Sequence, residues 1–219
     1  MTSPLVIAID GPSGSGKSSV SRAIASQLGL SYLDTGSMYR AMTWFFQNQG
    51  VDLDDPAAIE SHAGDAVIKP SVDPANPGIT VGTVDVSEPI RGDLVTSGVS
   101  RVSAVPRVRE LLVELQRAIA KAATSGIVAE GRDIGLVVLP NADFKFFLTA
   151  DESARASRRA AENGEEVSAT QQHLASRDQA DSTRKASPLV QAPDAIVIDT
   201  TNMTFDEVVD HILLLVRGA

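Results

Sequence analysis

Five apolar residues, Leu5 to Ile9, run into Asp10 and then Gly-Pro-Ser-Gly. A short β-branched run closed by turn residues is the pattern of a buried strand entering a loop. From Lys17 to Leu28 the spacing turns helical, with Val20, Ile24 and Leu28 on one stripe and Gly29 as the stop. Leu30 to Leu33 reads as a second short strand, and Ser37 to Gln47 as a helix. Pro106 to Ala123 is a strongly amphipathic helix, with Val108, Leu111, Leu112, Leu115 and Ile119 on one face and Pro106 at its first turn. Gly126–Ala129, Asp143–Leu148 and Ala195–Ile198 read as strands. Asp151–Ala161 and Val167–Lys185 are helical segments joined at Asn163-Gly164, and Phe205–Val216 is a last helix with Val208, Val209, Ile212 and Leu215 inward. Strand, loop and helix in repeated alternation predict an α/β fold with a parallel sheet.

Two stretches break that rhythm. Lys69 to Glu88 is rich in Pro, Gly, Val and Asp, and its "GITVG" and "TVDVS" alternate with period two, which predicts a small antiparallel insertion. "SGIVAEGRDIGLVVLP", Ser125 to Pro140, reads as a buried strand interrupted by Glu130, Gly131, Arg132 and Asp133. Charged side chains at the end of an apolar run are costly to desolvate unless something pairs with them.

Composition narrows the class. The chain has 219 residues, 43% of them apolar, enough for a substantial core. Its net charge of −9 argues against a generally basic nucleic-acid surface, while leaving room for a local basic cleft. Without cysteine there is no disulfide, thiolate metal site or Cys nucleophile, which suits a reducing, cytoplasmic setting. The apolar runs are too short to span a bilayer, and no signal peptide is read at the N-terminus.

"GPSGSGKS", Gly11 to Ser18, fits G-x-x-x-x-G-K-[ST] at every fixed position. Gly11, Pro12, Ser13, Gly14, Ser15, Gly16, Lys17, Ser18 and Ser19 form the expected ATP cradle. Glycines let backbone N–H groups turn inward, Lys17 reaches the outer phosphates, and the Ser18 hydroxyl is a Mg2+ ligand. The next helix presents its positive end to the anion. A flexible Gly-Ser loop is the plain alternative, but the motif follows a strand and opens a helix. No Asn-Lys-x-Asp for guanine is present, nor the apolar run ending in Asp-Glu of larger ATPases.

The remaining signal is arginine. "LDTGSMYRA" brings Thr35, Tyr39 and Arg40 together. Arg155, Arg158 and Arg159 share helical spacing, as do Arg177, Asp181 and Arg184. Surface ion pairs would explain such spacings at a few tenths of a kcal/mol each. Further arginines at element ends, Arg40, Arg109 and Arg132, favour phosphoryl transfer, which needs positive charge more than covalent chemistry. A phosphate acceptor is already mostly dianionic near neutral pH and needs no general base. His62, His173 and His211 accordingly show no partner pattern.

Together "IDGPSGSGKSS", "LDTGSMYRA", "DVSEPIR", "SRVSAVPRVRELLVELQR", "EGRDIG", "RDQADSTRKASPL" and "AIVIDTT" resemble the bacterial cytidylate kinases over nearly the whole chain. The resemblance implies a P-loop kinase fold: a core of residues 1–33 and 125–219, a monophosphate-binding region of 34–124 including the insertion, and a lid of 151–187. It implies transfer from ATP to CMP or dCMP with Mg2+. Arg40, Arg132 and Arg184 would hold the acceptor phosphate with Tyr39 and Thr35 nearby. Arg177 and Asp181 would hold the sugar, and Ser100, Arg109 and Asp133 would face the base. Arg155, Arg158 and Arg159 would belong to a lid that closes over ATP, with Arg155 and Arg159 binding ATP and one or more of the three reaching the transferring phosphate; Lys17, Arg132, Arg158 and Arg184 would be the catalytic charges. Glu130 would stand behind the metal ligand; the family more often has Asp there. A monomer is expected. The competing readings are a kinase for another monophosphate such as UMP, and a nucleotide-dependent binding module without an acceptor.

Overall fold

A computed structural model describes residues 4–164, 166–183 and 188–218. Strand β1 (Val6–Asp10) leads through the glycine loop into α1 (Lys17–Leu28). Gly29, with φ 67°, ends that helix and caps it through its backbone N–H. β2 (Ser31–Asp34) runs straight into α2 (Thr35–Asn48), whose first turn is capped by the Asp34 carboxylate accepting from Ser37 N. A short α3 (Pro56–His62) precedes the insertion strands β3 (Ile68–Pro70), β4 (Ile79–Val81) and β5 (Val84–Asp85). These three pair antiparallel, in order β3-β4-β5.

Helices α4 (Asp93–Ala104) and α5 (Pro106–Ala122) return the chain to the core strands β6 (Ile127–Gly131) and β7 (Phe144–Thr149). Then come α6 (Glu152–Asn163), α7 (Val167–Thr183), β8 (Ile196–Asp199) and α8 (Phe205–Arg217). The five core strands lie in the order β2-β6-β1-β7-β8, all parallel. One face of the sheet packs on α1 and α8 through Ile24, Val208 and Ile212. The other packs on α2, α5 and the insertion through Met38, Phe46, Ile79 and Leu112.

Three local expectations change. α4 was not legible as a helix: "DLVTSGVSRVSA" is full of β-branched and small polar residues of modest helix propensity. Packing decides it. Val95, Val99 and Val102 are buried, and a Cβ at Gly98 would lie 2.7 Å from Leu53 Cδ1 and 3.0 Å from Thr43 Cγ2, so this helix sits hard against α2. The apolar run after "EGRD" does not resume as a strand. Ile134–Val138 forms a single π-helical turn, a feature common at functional sites. On α5, the inward face centres on Val108, Arg109, Leu112, Val113 and Gln116, leaving Leu111, Leu115 and Ile119 at its margin. The expected end of the α7 segment at Lys185 lies outside the described residues.

Topology places the chemistry. β1 and β6 are register partners, with Asp10 opposite Gly131. The glycine loop and the charged tetrapeptide therefore leave the sheet side by side, at the carboxyl ends of neighbouring parallel strands, where open α/β sheets bind ligands.

Candidate active site

The loop from Gly11 to Gly16 adopts backbone that side chains resist. Gly16 takes φ 83° just before α1, and a Cβ at Gly11 would lie 2.0 Å from the Leu148 carbonyl oxygen. Lys17 folds back over the loop, donating from Nζ to the Pro12 carbonyl at 2.6 Å and to Ser15 Oγ at 3.4 Å. Burial lowers its pKa, and the neighbouring Arg132 charge lowers it further. Beside it, Ser18 Oγ donates to Glu130 Oε2 at 3.0 Å, and Tyr32 Oη donates to Glu130 Oε1 at 2.5 Å. Burial and the Asp34 charge raise the Glu130 pKa.

A cleft of about 490 Å³ opens over this loop. Lys17, Arg40, Arg132, Arg159 and Arg177 all contribute to its wall, together with Asp34 and Glu130. Arg40 donates to the Ile90 carbonyl at 3.0 Å and Thr96 Oγ1 at 2.8 Å. Arg132 donates through Nε to Asp181 Oδ2 at 2.9 Å and through Nη1 to the Gly11 carbonyl at 3.0 Å. It is not paired with Glu130, although alternate strand residues could have met. Arg177 buries its Nε without a protein acceptor among the described residues. Burial first, and then mutual repulsion, lower the pKa of Arg177 to about 9 and of Arg40 to about 10. A concentration of cations in a chain of net charge −9 is an arrangement that an anionic ligand relieves.

Asp133 and Arg109 form an ion pair with only 7% and 6% of their side chains exposed. The Arg109 guanidinium also lies 5.4 Å from the Tyr39 ring centroid, within cation–π range. Directly after Asp133, the π turn is held by Asp10, whose two carboxylate oxygens accept from Ile134 N and Gly135 N, each at 2.8 Å. Burial still raises the Asp10 pKa to about 6, those two bonds opposing it. Thr35 is buried and donates its hydroxyl to the Glu130 carbonyl at 2.7 Å, tying α2 to β6. Ser100 is half-buried on α4 and accepts from Ser103 Oγ through its carbonyl. Thr35, Tyr39, Ser100, Arg109, Asp133 and Asp181 are not among the residues that form the cleft's wall.

The expected lid arginines separate. Arg155 is buried, donates to the carbonyls of Ala150 and Ser13, and is ion-paired with Asp178. Arg158 donates to Thr200 Oγ1 and to the Thr200 carbonyl. Arg159 alone of the three faces the cleft. The common basic face inferred from their spacing is thus divided among three neighbours. Arg184 lies outside the described residues. His62, His173 and His211 are exposed.

The sequence profile of the cytidylate kinases matches residues 7–218. The chain belongs to the cytidylate kinase family. Curated relatives carrying that name include one from Streptomyces coelicolor, 57% identical over 99% of this chain and 94% of its own length, and one from Streptomyces griseus, 56% identical over 99% and 94%. Among solved structures, an uncharacterized protein from Eubacterium ventriosum superposes with TM-score 0.56 at 12% identity, covering 98% of this chain and 99% of its own. A shikimate kinase from Acinetobacter baumannii, in complex with shikimate, gives TM-score 0.50 at 15% identity, covering 99% and 94%. Those likenesses concern the fold, an α/β P-loop kinase architecture.

Within this cytidylate kinase family member, sequence reasoning passed over the cleft wall built by the insertion: Pro70, Ser71, Gly78, Ile79 and Ser87. The signal was present as Pro and Gly clustering in "KPSVDPANPGIT", without any charged motif to flag it. Tyr32 was hidden inside an ordinary strand pattern, and Asp34 stood unremarked in "LDTGSMYRA".

Proposed function

We infer that the chain transfers the γ-phosphoryl group of ATP to the phosphate of CMP or dCMP, yielding ADP and CDP or dCDP. The observation that carries this reading beyond family membership is the convergence of Lys17, Arg40, Arg132, Arg159 and Arg177 on one cleft beside a glycine loop. A loop that only bound a nucleotide would need none of the arginines beyond it.

ATP phosphates lie along the Gly11–Ser19 backbone and the N-terminus of α1. Lys17 exchanges its Pro12 carbonyl for a phosphate oxygen. The acceptor phosphate is held by Arg40 and Arg132, with Arg184 joining them, and Arg177 and Asp181 serve the sugar. Arg159 is the lid arginine that reaches the transferring group, with Arg158 next to it on α6, while Arg155 anchors that helix to the glycine loop. Residues 34–124 form the acceptor-binding region and 151–187 the lid, around a core of the remaining segments. The acceptor oxygen attacks in line, without a phosphoenzyme, and closure of the lid excludes water that would otherwise hydrolyse ATP.

Asp133 reads the base. Its Oδ2 is engaged by Arg109, and Oδ1 accepts from the exocyclic amine of cytosine, as carboxylates do in cytosine recognition. Uracil would set an oxygen against that carboxylate, and a buried polar site rejects such a mismatch strongly.

The residues suit Mg2+. Ser18 donates its hydroxyl hydrogen bond to Glu130, which leaves the hydroxyl lone pairs for a cation, and the donors at hand are all oxygen. Among the described residues no cluster of three or more His, Cys, Asp or Glu exists to hold a metal without nucleotide. Mg2+ characteristically takes few protein ligands and completes its shell with phosphates and water. When bound it supplies neutralisation of the charge on the outer phosphates.

ADP formation measured with MgATP across CMP, dCMP, UMP, AMP, GMP, TMP and no acceptor tests this. Fast turnover is expected with CMP and dCMP, weak turnover with UMP, and almost none without acceptor. Acceptor-independent hydrolysis at a uniform rate would overturn it, and preference for another monophosphate would overturn the base reading alone.

A further inference from the structure

Glu130 is 3% exposed, and each of its two carboxylate oxygens takes one hydroxyl donor. One donor is Ser18, the hydroxyl assigned above to the metal. The other is Tyr32, from the strand next to Glu130 in the sheet, at 2.5 Å. Tyr32 is itself pinned. Its side chain is buried at 3% exposure, and its backbone N–H donates at 2.9 Å to the Val72 carbonyl of the insertion loop that lies along the outer edge of β2. Packing of the buried ring in the core cluster with Ile7, Val20 and Val128 holds the phenol on Glu130, while the backbone bond ties this sheet edge to the insertion loop.

We propose that Tyr32 is a positioning residue for the divalent cation: it fixes the Glu130 carboxylate so that Ser18 must donate its proton inward and offer its lone pairs to the metal. This deepens the phosphotransfer reading and rests on Ser18 being a metal ligand. The chemistry is directional. A serine hydroxyl that ligates a cation gives up a lone pair, so its proton needs another acceptor. Glu130 Oε2 is that acceptor. A carboxylate carried on two methylene groups has rotational freedom about its last bonds, and rotating it would release Ser18. Tyr32, gripping Oε1, removes that freedom. Outer partners that orient a metal's ligands typically change metal affinity by about 10- to 100-fold when lost. Tyr32 reaches the cleft wall, but its hydroxyl is spent on Glu130, so removing that hydroxyl acts on the metal through the carboxylate.

The test measures binding of a non-hydrolysable ATP analogue with and without Mg2+, the ratio of the two Kd values being the metal coupling. Tyr32→Phe is expected to cut that coupling by about tenfold or more, with the Mg2+-free Kd moving less than about twofold. Tyr32→Phe/Glu130→Gln should lose no more coupling than Glu130→Gln, because Tyr32 acts only through Glu130. Unchanged coupling in Tyr32→Phe, where Ser18→Ala loses it, would overturn the role of Tyr32 and leave the Ser18 reading standing. Full coupling in Ser18→Ala would overturn the Ser18 reading itself. Additive losses in the double variant would also overturn the proposal. Should Tyr32→Phe not fold, the native protein serves with 3-fluorotyrosine at its two tyrosines, the Tyr39 signal being identified by Tyr39→Phe. Adding Mg2+ to the analogue complex should shift the Tyr32 fluorine resonance, and no shift would refute the link.

Discussion

Removing Arg109 strands a carboxylate. Asp133 and Arg109 are each more than nine-tenths buried, and the guanidinium is the cation paired with that carboxylate. Deleting one partner of a buried pair costs about 3–5 kcal/mol, because the other charge stays desolvated and uncompensated. Loss of the contact with the Tyr39 ring, desolvated here, adds up to about 2 kcal/mol. In a chain of this size about 1 kcal/mol moves Tm by about 2–4 °C. Arg109→Ala should therefore lower Tm by about 6–28 °C. Replacing both residues, Arg109→Met with Asp133→Leu, removes both charges and both desolvation costs, so stability should return to near that of the parent. Function should not return with it. Both variants should lose the preference for CMP over UMP while the KM for ATP holds. Urea unfolding followed at Trp44, the single tryptophan, gives the stabilities, and kcat/KM for the two pyrimidines gives the preference. An Arg109→Ala protein as stable as the parent would refute the energetic argument. A double variant that still prefers CMP would refute the pair as the base reader.

Lys17→Met should lower kcat by at least about 10²–10³-fold, the usual cost of losing a charge aimed at the transition state. Its Tm should hold or rise, since the ammonium is buried beside Arg132; normal turnover would sink the phosphate-loop assignment. Asp10 keeps its proton to about pH 6 in the folded chain against 3.8 for the ordinary group. The folded state thus binds more proton between those values, and this group's contribution to stability falls by about 2 kcal/mol as pH rises from about 4 to 6. Asp10→Asn lacks that dependence, so its stability relative to the parent should improve by about that amount across the window; a constant difference would show that Asp10 does not titrate there. Arg155→Ala should lower stability by about 3 kcal/mol, having left Asp178 and the Ser13 carbonyl without their cation. Arg159→Ala should instead raise the KM for ATP with Tm nearly unchanged, and the reverse pattern would restore Arg155 to the nucleotide.

Much of the architecture was legible along the chain. Turn chemistry and period are local properties, so "GPSGSGKS" after an apolar strand, the stripe of α1 and the face of α8 could be read without knowing what they touch. The same holds for the break of an apolar strand at "EGRD". What neighbours do to one another could not be read. α4 is helical because Gly98 lets it approach α2, against the modest propensity of its own residues. Arg155, Arg158 and Arg159, identical in kind and adjacent on one helix, went to the glycine loop, the β8–α8 turn and the cleft. Tyr32 meets Glu130 across 98 positions and Ser18 meets it across 112. Spacing reports which side of an element a residue occupies. The partner found there, and with it the charge state and task of a buried group, is decided by strand order and packing, because an interaction between segments so far apart leaves no period in the chain.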